Sequence, residues 1–437
     1  MRRRDALKLL AGGAAAVALR PTWSAAATQP DDFFLFIHAG GGWDVTLWAD
    51  PRNQRRGLIE PATPGNTDTG GLEHWKPAGD SFEIVTAGSS LALGPAIGKL
   101  LDLRDRIAII NGIAMNTVSH EDGTAYSTTG RHRSGGAAAA ASVDVVIASE
   151  LGTAQLMPDI AVRWPSAFTG DRLDRRSAPL RVGTVDAITK SFERGTGPLD
   201  AADRDAITAL LTDEARGLAR RAAQPDAADR IASQYQALPA LVGGDFTRAF
   251  SPRQLRAAYP EFDVHGLLGD PVVAAPFALE AFRRNIARCV GFGLGGFDTH
   301  TANQRQHARR LQELFGVIAA IVRRLDATPH PTRHATRLSE RTHILVVSEF
   351  CRTPQLNPAG GRDHYPNNSA LVISPRFRPG VHGKTDPDQL LPVGVRRFAG
   401  GVRPIAPPDL LATFVAAFGI DPRRYLRDGE VVRELLA

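Results

Sequence analysis

The sequence predicts an α/β fold, with a central, mostly parallel sheet, helices on both faces and a helical insertion. Three observations carry that expectation. Continuous apolar runs recur at Phe33–His38, Ile107–Ile110, Ile160–Trp164, Val290–Leu294, His343–Val347 and Ala370–Ile373. Such runs read as strands covered on both faces. Helical stretches stand between several of them, which is the alternation of an α/β sheet. Acidic, imidazole and glycine residues stand just after the runs, where such sheets collect ligands.

Residues 1–27 are an address rather than part of the fold. A basic start, an apolar Leu/Ala/Val stretch and Ala25–Ala27 have the layout of an export signal with a small-residue cleavage site. Arg3-Arg4-Asp5-Ala6-Leu7-Lys8 resembles a twin-arginine signal, with Ala6 where Phe is usual. The apolar stretch, residues 9–19, is about half the ~20 residues needed to span a bilayer. We therefore expect export through the twin-arginine translocase to the periplasm or cell exterior, with no membrane span after cleavage. Arg2, Arg3, Arg4, Lys8 and Arg20 against Asp5 account for most of the formal +6. What remains is near +2, and with no basic–aromatic motif nucleic acid is not an expected partner. A hydrophobic content of 43% against 22% charged excludes wholesale disorder. Only two cysteines, Cys289 and Cys351, exclude a disulfide scaffold and a cysteine-only metal site, and leave open whether they pair.

The mature chain, residues 28–437, is expected to form one α/β domain. Its first run ends in Gly40-Gly41-Gly42, a turn into the first ligand loop. Residues 50–80, rich in Pro, Gly, Asn and Asp, predict a long loop, and Ala137–Ala141 a helix start. Residues 196–262 predict the helical insertion, with one helix from Asp200 to about Ala223 and another from Pro225 to about Leu238. Leu311, Leu314, Phe315, Ile318, Ile321, Val322 and Leu325 fall on one helical face.

The chemistry lies in four polar sets: Gly40–Asp44, Gly295–His300, Ser348–Pro354 and Gly361–Pro366. Asp298 and His300 share a face in extended backbone. Carboxylate plus imidazole suits zinc or a similar divalent ion at about 2.0–2.2 Å. Four sets at strand ends point to a shared metal site. His120 is a candidate ligand or proton shuttle. Asp363 is expected to orient the adjacent His364 imidazole. His38 reads as a core histidine bonded to backbone. The C-x-P-x-R pattern of formylglycine sulfatases and the G-x-x-x-x-G-K-[ST] phosphate loop are absent.

Phe297-Asp298-Thr299-His300, Ser348-Glu349-Phe350-Cys351-Arg352-Thr353-Pro354 and Gly361-Arg362-Asp363-His364 together resemble the bacterial family called domain of unknown function 1501. Its patterns are D-T-H, S-E-F-G-R-T-P and G-R-D-H, and Cys351 departs from the glycine of the second. That family is similar to the alkaline phosphatase and sulfatase superfamily. The resemblance implies an alkaline-phosphatase-like sheet and a divalent metal, zinc first, with calcium or magnesium as alternatives, as one ion or two. It implies Asp44 as the first-strand metal carboxylate, Asp298 and His300 as a ligand pair at shortened spacing, and His364 as the late histidine ligand. Glu349 replaces the aspartate of the superfamily's D-H pair, and Phe350 stands in place of its histidine. Ser119 matches the nucleophile, in a stretch echoing S-x-x-x-x-T-A-W-S-T; Ser119-His120-Glu121-Asp122-Gly123 is equally a helix N-cap. Arg352 can clamp an anionic ester or sit in a surface ion pair, with Arg131 and Arg133 as second candidates. The expected function is an exported metal-dependent hydrolase of phosphate or sulfate esters. The alternative is a non-catalytic secreted binding or assembly protein that keeps the fold.

Overall fold

The computed structural model describes residues 31–52, 71–78, 81–87, 91–191, 245–262, 271–394 and 396–437, with a few helical residues between 202 and 220. The export-signal segment and the expected helix at 225–238 lie outside these residues. The helix expected at 200–223 is described only at those scattered positions.

Eight strands form the central sheet: β1 (Phe33–Ala39), β2 (Ile107–Ala114), β3 (Asp159–Val162), β4 (Leu180–Val182), β5 (Cys289–Leu294), β6 (Thr342–Val347), β7 (Asn367–Ile373) and β8 (Gly380–Gly383). The spatial order is β8-β2-β7-β6-β1-β5-β3-β4. β1 is parallel to both neighbours, with Ile37 opposite Val346 on β6 and Phe292 on β5. Only β7 is reversed: it runs antiparallel to β6 and to β2. β2 thus points the same way as β1. The carboxyl ends of β1, β2, β5 and β6 and the amino end of β7 therefore meet at one edge.

Five helices cover the sheet: α1 (His120–Thr129), α2 (Val143–Leu151), α3 (Pro271–Arg283), α4 (Asn303–Ala327) and α5 (Pro407–Ala416). Odd residues of β1 (Phe33, Leu35, Ile37) pack with Phe277 of α3 and Leu311, Phe315 and Ile318 of α4. Even residues (Phe34, Phe36) pack with Val146 of α2 and Phe414 of α5. The alternation of a strand buried on both sides explains why Phe33–Ile37 shows no polar positions. Every α4 residue expected on the apolar face is buried. Among the described residues no helix is long and apolar enough to cross a membrane.

Local readings differ in three places. Ala137–Ala141 does not start a helix. Gly135 and Gly136 turn the chain at positive φ, and α2 begins only at Val143, because Ser142 is tied to Ala167 by backbone and hydroxyl hydrogen bonds. β3 ends at Val162 rather than Trp164: Arg163 sits at φ +58°, and the Trp164 indole folds over Gly291, where a Cβ would meet it at 2.5 Å. Within 50–80, Pro77–Ala78 pairs with Ser81–Phe82. Residues 245–262 of the expected insertion carry helices Asp245–Phe250 and Pro252–Ala258. Cys289 and Cys351 are both buried and free.

One buried feature titrates. Asp144 and Asp159 are fully buried, and among the described residues their four oxygens have no well-aligned hydrogen bond; the two carboxyls face one another, with the Ile160 N–H also near Asp159. Burial, then the Asp144 charge and hydrogen bond, push Asp159 well above the usual carboxylate range. It is therefore a neutral acid in the fold. Its favourable contribution is complete below the unfolded value near 3.9 and is lost as pH rises through the raised folded value. Asp159→Asn keeps a donor toward Asp144 and removes the ionisable group. Denaturant unfolding should show a gain on the order of 1 kcal/mol or more at pH 8 and none at pH 3.5. An equal change at both values would refute the shared-proton account.

Candidate functional site

The turn after β1 brings two ligand loops together. Gly41 has φ +118°, and a Cβ there would lie 2.3 Å from the Asp298 amide nitrogen. Only glycine lets the loop after β5 approach so closely. The Gly41 N–H donates to Glu349 Oε1 at 2.6 Å, which joins the loop after β6 as well.

α1 adds the next piece. Ser119 caps it, accepting from the Asp122 N–H at 3.4 Å, so His120 is the first helical residue. Gly123 lets α1 settle onto Glu349, since a Cβ there would lie 2.4 Å from the Glu349 carbonyl. His120 then donates from Nδ1 to Glu349 Oε1 at 2.8 Å. The reversed direction of β7 delivers His364, on the short strand His364–Tyr365 that pairs with Cys351–Arg352.

His120, Asp298 and His364 converge, with one donor atom of each within 4.8 Å of the others. His120 Nε2 lies 3.6 Å from Asp298 Oδ2, and His364 Nε2 lies 3.6 Å from Asp298 Oδ1. His300 joins them: its Nε2 is 3.0 Å from Asp298 Oδ1 and 3.0 Å from His364 Nε2. Ligand atoms bound to one ion at 2.0–2.2 Å stand about 3.0–3.5 Å apart.

The tautomers fit a cation. Each Nδ1 faces an acceptor: Glu349 Oε1 for His120, Asp363 Oδ1 at 2.7 Å for His300, and the Val118 carbonyl at 2.8 Å for His364. A carboxylate or carbonyl only accepts, so each Nδ1 carries a proton, and a ring in its neutral form turns an Nε2 lone pair inward. The lone pairs of His300 and His364 then oppose one another at 3.0 Å unless a proton or a cation lies between them. Acceptors behind ligating histidines are the arrangement that fixes ring orientation at metal sites.

The surroundings keep the carboxylates of the cluster charged. Burial alone would raise the Glu349 carboxyl, but the His120 hydrogen bond, the His38 ring and the Gly41 N–H hold it at about 2. Burial would likewise raise Asp298, yet the Arg352 hydrogen bond and charge keep it below its ordinary value. The bond to Glu349 raises His120, and burial lowers His364. Hydrogen bonds from His300 and Asn357 lower Asp363. Three carboxylates (Asp298, Glu349, Asp363) against the Arg352 guanidinium leave two negative charges, which a divalent ion would offset.

The remaining expected site residues sit elsewhere or act differently. Glu349, expected as a ligand, is 2% exposed and stands behind His120. Asp363 orients His300, not its neighbour His364. Asp44 is engaged apart from the cluster. Its carboxylate takes Arg362 Nη1 at 3.2 Å, the Thr46 hydroxyl at 2.6 Å and the Asn303 amide at 2.6 Å. Arg352 is fully buried, not in a surface pair. It donates to the carbonyls of Gly41, Gly42 and Arg362 and to Asp298 at 2.5 Å, and its Nη1 lies 3.4 Å from His300 Nε2, so it has no face for an ester. Ser119 Oγ also contacts Glu121 at 3.1 Å. Phe350 is buried and packs on both His120 and His364, with ring centroids 4.9 and 4.5 Å away. Arg131 pairs with Asp428, and Arg133 donates to the Gly136 carbonyl. The Val118 carbonyl was not foreseeable, because a backbone acceptor leaves no mark in the sequence.

The family described as Protein of unknown function (DUF1501) matches residues 35–430. The chain belongs to the DUF1501 family. The match runs from β1 past α5, so all four polar sets of this DUF1501 chain lie inside it. No curated protein matches the chain.

Proposed function

We propose that this DUF1501 protein is an exported, metal-dependent hydrolase of anionic phosphate or sulfate esters, with an alkaline-phosphatase-like site. The observation that carries the proposal is the convergence of three imidazole Nε2 atoms on the Asp298 carboxylate, each ring held by an acceptor behind it. His120, Asp298, His300 and His364 would hold the ion, zinc being the first candidate for an imidazole-rich set. When bound, a divalent cation supplies a Lewis acid for the ester oxygen. The residues themselves do the positioning. Glu349, Asp363 and the Val118 carbonyl keep the rings aimed, and Arg352 holds Asp298 at the turn. Ser119 follows Val118 and precedes His120, so its hydroxyl rides on a segment tied to two of the rings. To act as nucleophile it must exchange its cap bond to Asp122 for the substrate. The export route rests on residues 1–27 alone.

A second reading, a non-catalytic secreted binding or assembly protein that keeps the fold, is favoured by two observations: Ser119 serves as a helix cap and Arg352 is wholly buried. Elemental analysis of the purified mature protein, followed by an ester panel with Ser119→Ala as control, decides between them. We expect about one divalent ion per chain and ester turnover lowered at least tenfold by Ser119→Ala. Protein that binds no metal under any loading condition would end the hydrolase reading. Metal without turnover would leave the second.

A further inference from the structure

The sequence marks His38 as a core histidine bonded to backbone, and the structure gives it other company. We infer that His38 is a positioning residue for the metal site, acting through Glu349; the inference rests on the metal-site reading above. His38 lies near the carboxyl end of β1, opposite Val347 on β6 and Gly293 on β5. Its ring is 7% exposed and stands edge-on to Trp164. Its Nε2 is buried, forms no well-aligned hydrogen bond among the described residues, and points at Glu349 Oε2 from 3.4 Å.

The argument is a count of donors. Glu349 is a buried carboxylate, so each of its oxygens needs a donor. Oε1 has two, the Gly41 N–H and His120 Nδ1. Oε2 has the Ser348 hydroxyl at 3.0 Å, but that hydroxyl owns one proton and also lies 2.6 Å from the Ala39 carbonyl. The Ala39 carbonyl is the closer acceptor, and it stands at the end of β1, where it needs a donor. With the Ser348 proton spent there, the N–H of His38 is the side-chain donor left to serve Oε2, beside the Glu349 backbone N–H that also supports the carboxylate. It thereby fixes the rotation of the carboxylate that aims His120. Without it, Glu349 is free to turn toward Ser348, and His120 loses its fixed acceptor.

The test is zinc titration of the metal-free full mature protein, by competition with a chromogenic chelator, beside the absorption spectrum of the cobalt-loaded form. His38→Phe, which removes both nitrogens, should weaken zinc binding by about 10–100-fold, as loss of an outer partner typically does. It should also shift the cobalt bands. His38→Gln, which restores a donor, should return affinity to within a few-fold of wild type. His38→Leu replaces the Phe variant if circular dichroism shows that the larger ring prevents folding. Wild-type affinity and spectrum in the Phe or Leu variant would overturn the inference while leaving the metal site intact. A wild-type protein that binds neither ion would instead fell the metal-site reading, and this inference with it.

Discussion

His364→Ala should weaken zinc binding by more than about 100-fold, beyond the 10–100-fold range of outer partners. The reasoning is geometric. His364 Nε2 faces Asp298 Oδ1 at 3.6 Å and His300 Nε2 at 3.0 Å, and its ring is locked by the Val118 carbonyl. Asp298→Asn should do comparable damage, because it removes the charge on which all three rings converge. Asp363→Asn should cost less, in the 10–100-fold range, since it leaves every ligand atom in place and disturbs only the orientation of His300. The order His364→Ala worse than Asp363→Asn is the informative result. Asp363 is about half exposed, whereas His364 is the least exposed side chain of the cluster, so circular dichroism of each metal-free variant is read beside its zinc affinity. Zinc at 100 times its dissociation constant should add about 2.7 kcal/mol to wild-type stability, an increment that chelator removes. If His364→Ala binds zinc as wild type does, the four-residue site does not exist.

Sequence and structure agree wherever a signal is periodic or clustered. The two-sided burial of β1 was legible because Phe33–Ile37 is apolar at every position, and α4 because its leucines and isoleucines repeat at helical spacing. Asp298 and His300 were legible as a pair because they sit two apart at a strand end. Their partnership with His364 was legible only as a shared address, the rim of the sheet. The division of labour was hidden. Glu349, expected as a ligand, stands behind His120, itself a candidate ligand, since which of two touching side chains faces the cluster depends on the helix that carries one of them. That placement depends on Gly123 closing α1 onto Glu349, a tertiary contact with no local mark. Likewise Asp363 lies beside His364 in the chain but serves His300, because adjacent residues on an extended segment point to opposite sides.

Asp44→Ala should destabilise the metal-free protein by about 3–5 kcal/mol, the cost of stranding a buried charge. Asp44 and Arg362 are both fully buried and only 3.2 Å apart. The Arg362 Nε and Nη2 already lack partners among the described residues, so Asp44 is the anion that compensates this guanidinium. The Arg362 charge, opposing burial together with the His307 ring and the Thr46 and Asn303 donors, holds the Asp44 carboxyl below its ordinary range. His307, pushed down to about 3 chiefly by burial, is neutral and accepts the Asp44 N–H at 2.7 Å, so it cannot take over the compensating charge. Removing both charges together is a different experiment. In Asp44→Asn with Arg362→Met, the amide keeps part of the Thr46 and Asn303 bonding and no charge is left uncompensated. The double variant should recover most of the loss, as replacing a whole buried pair is often neutral. Urea unfolding midpoints at constant slope would read both effects. The same two proteins bear on where the metal goes. If Asp44 is the ion-pair partner of Arg362 and nothing more, the double variant binds zinc with wild-type affinity. If the double variant folds and loses zinc, Asp44 belongs to the metal site after all, and the assignment of its carboxylate to Arg362 is wrong.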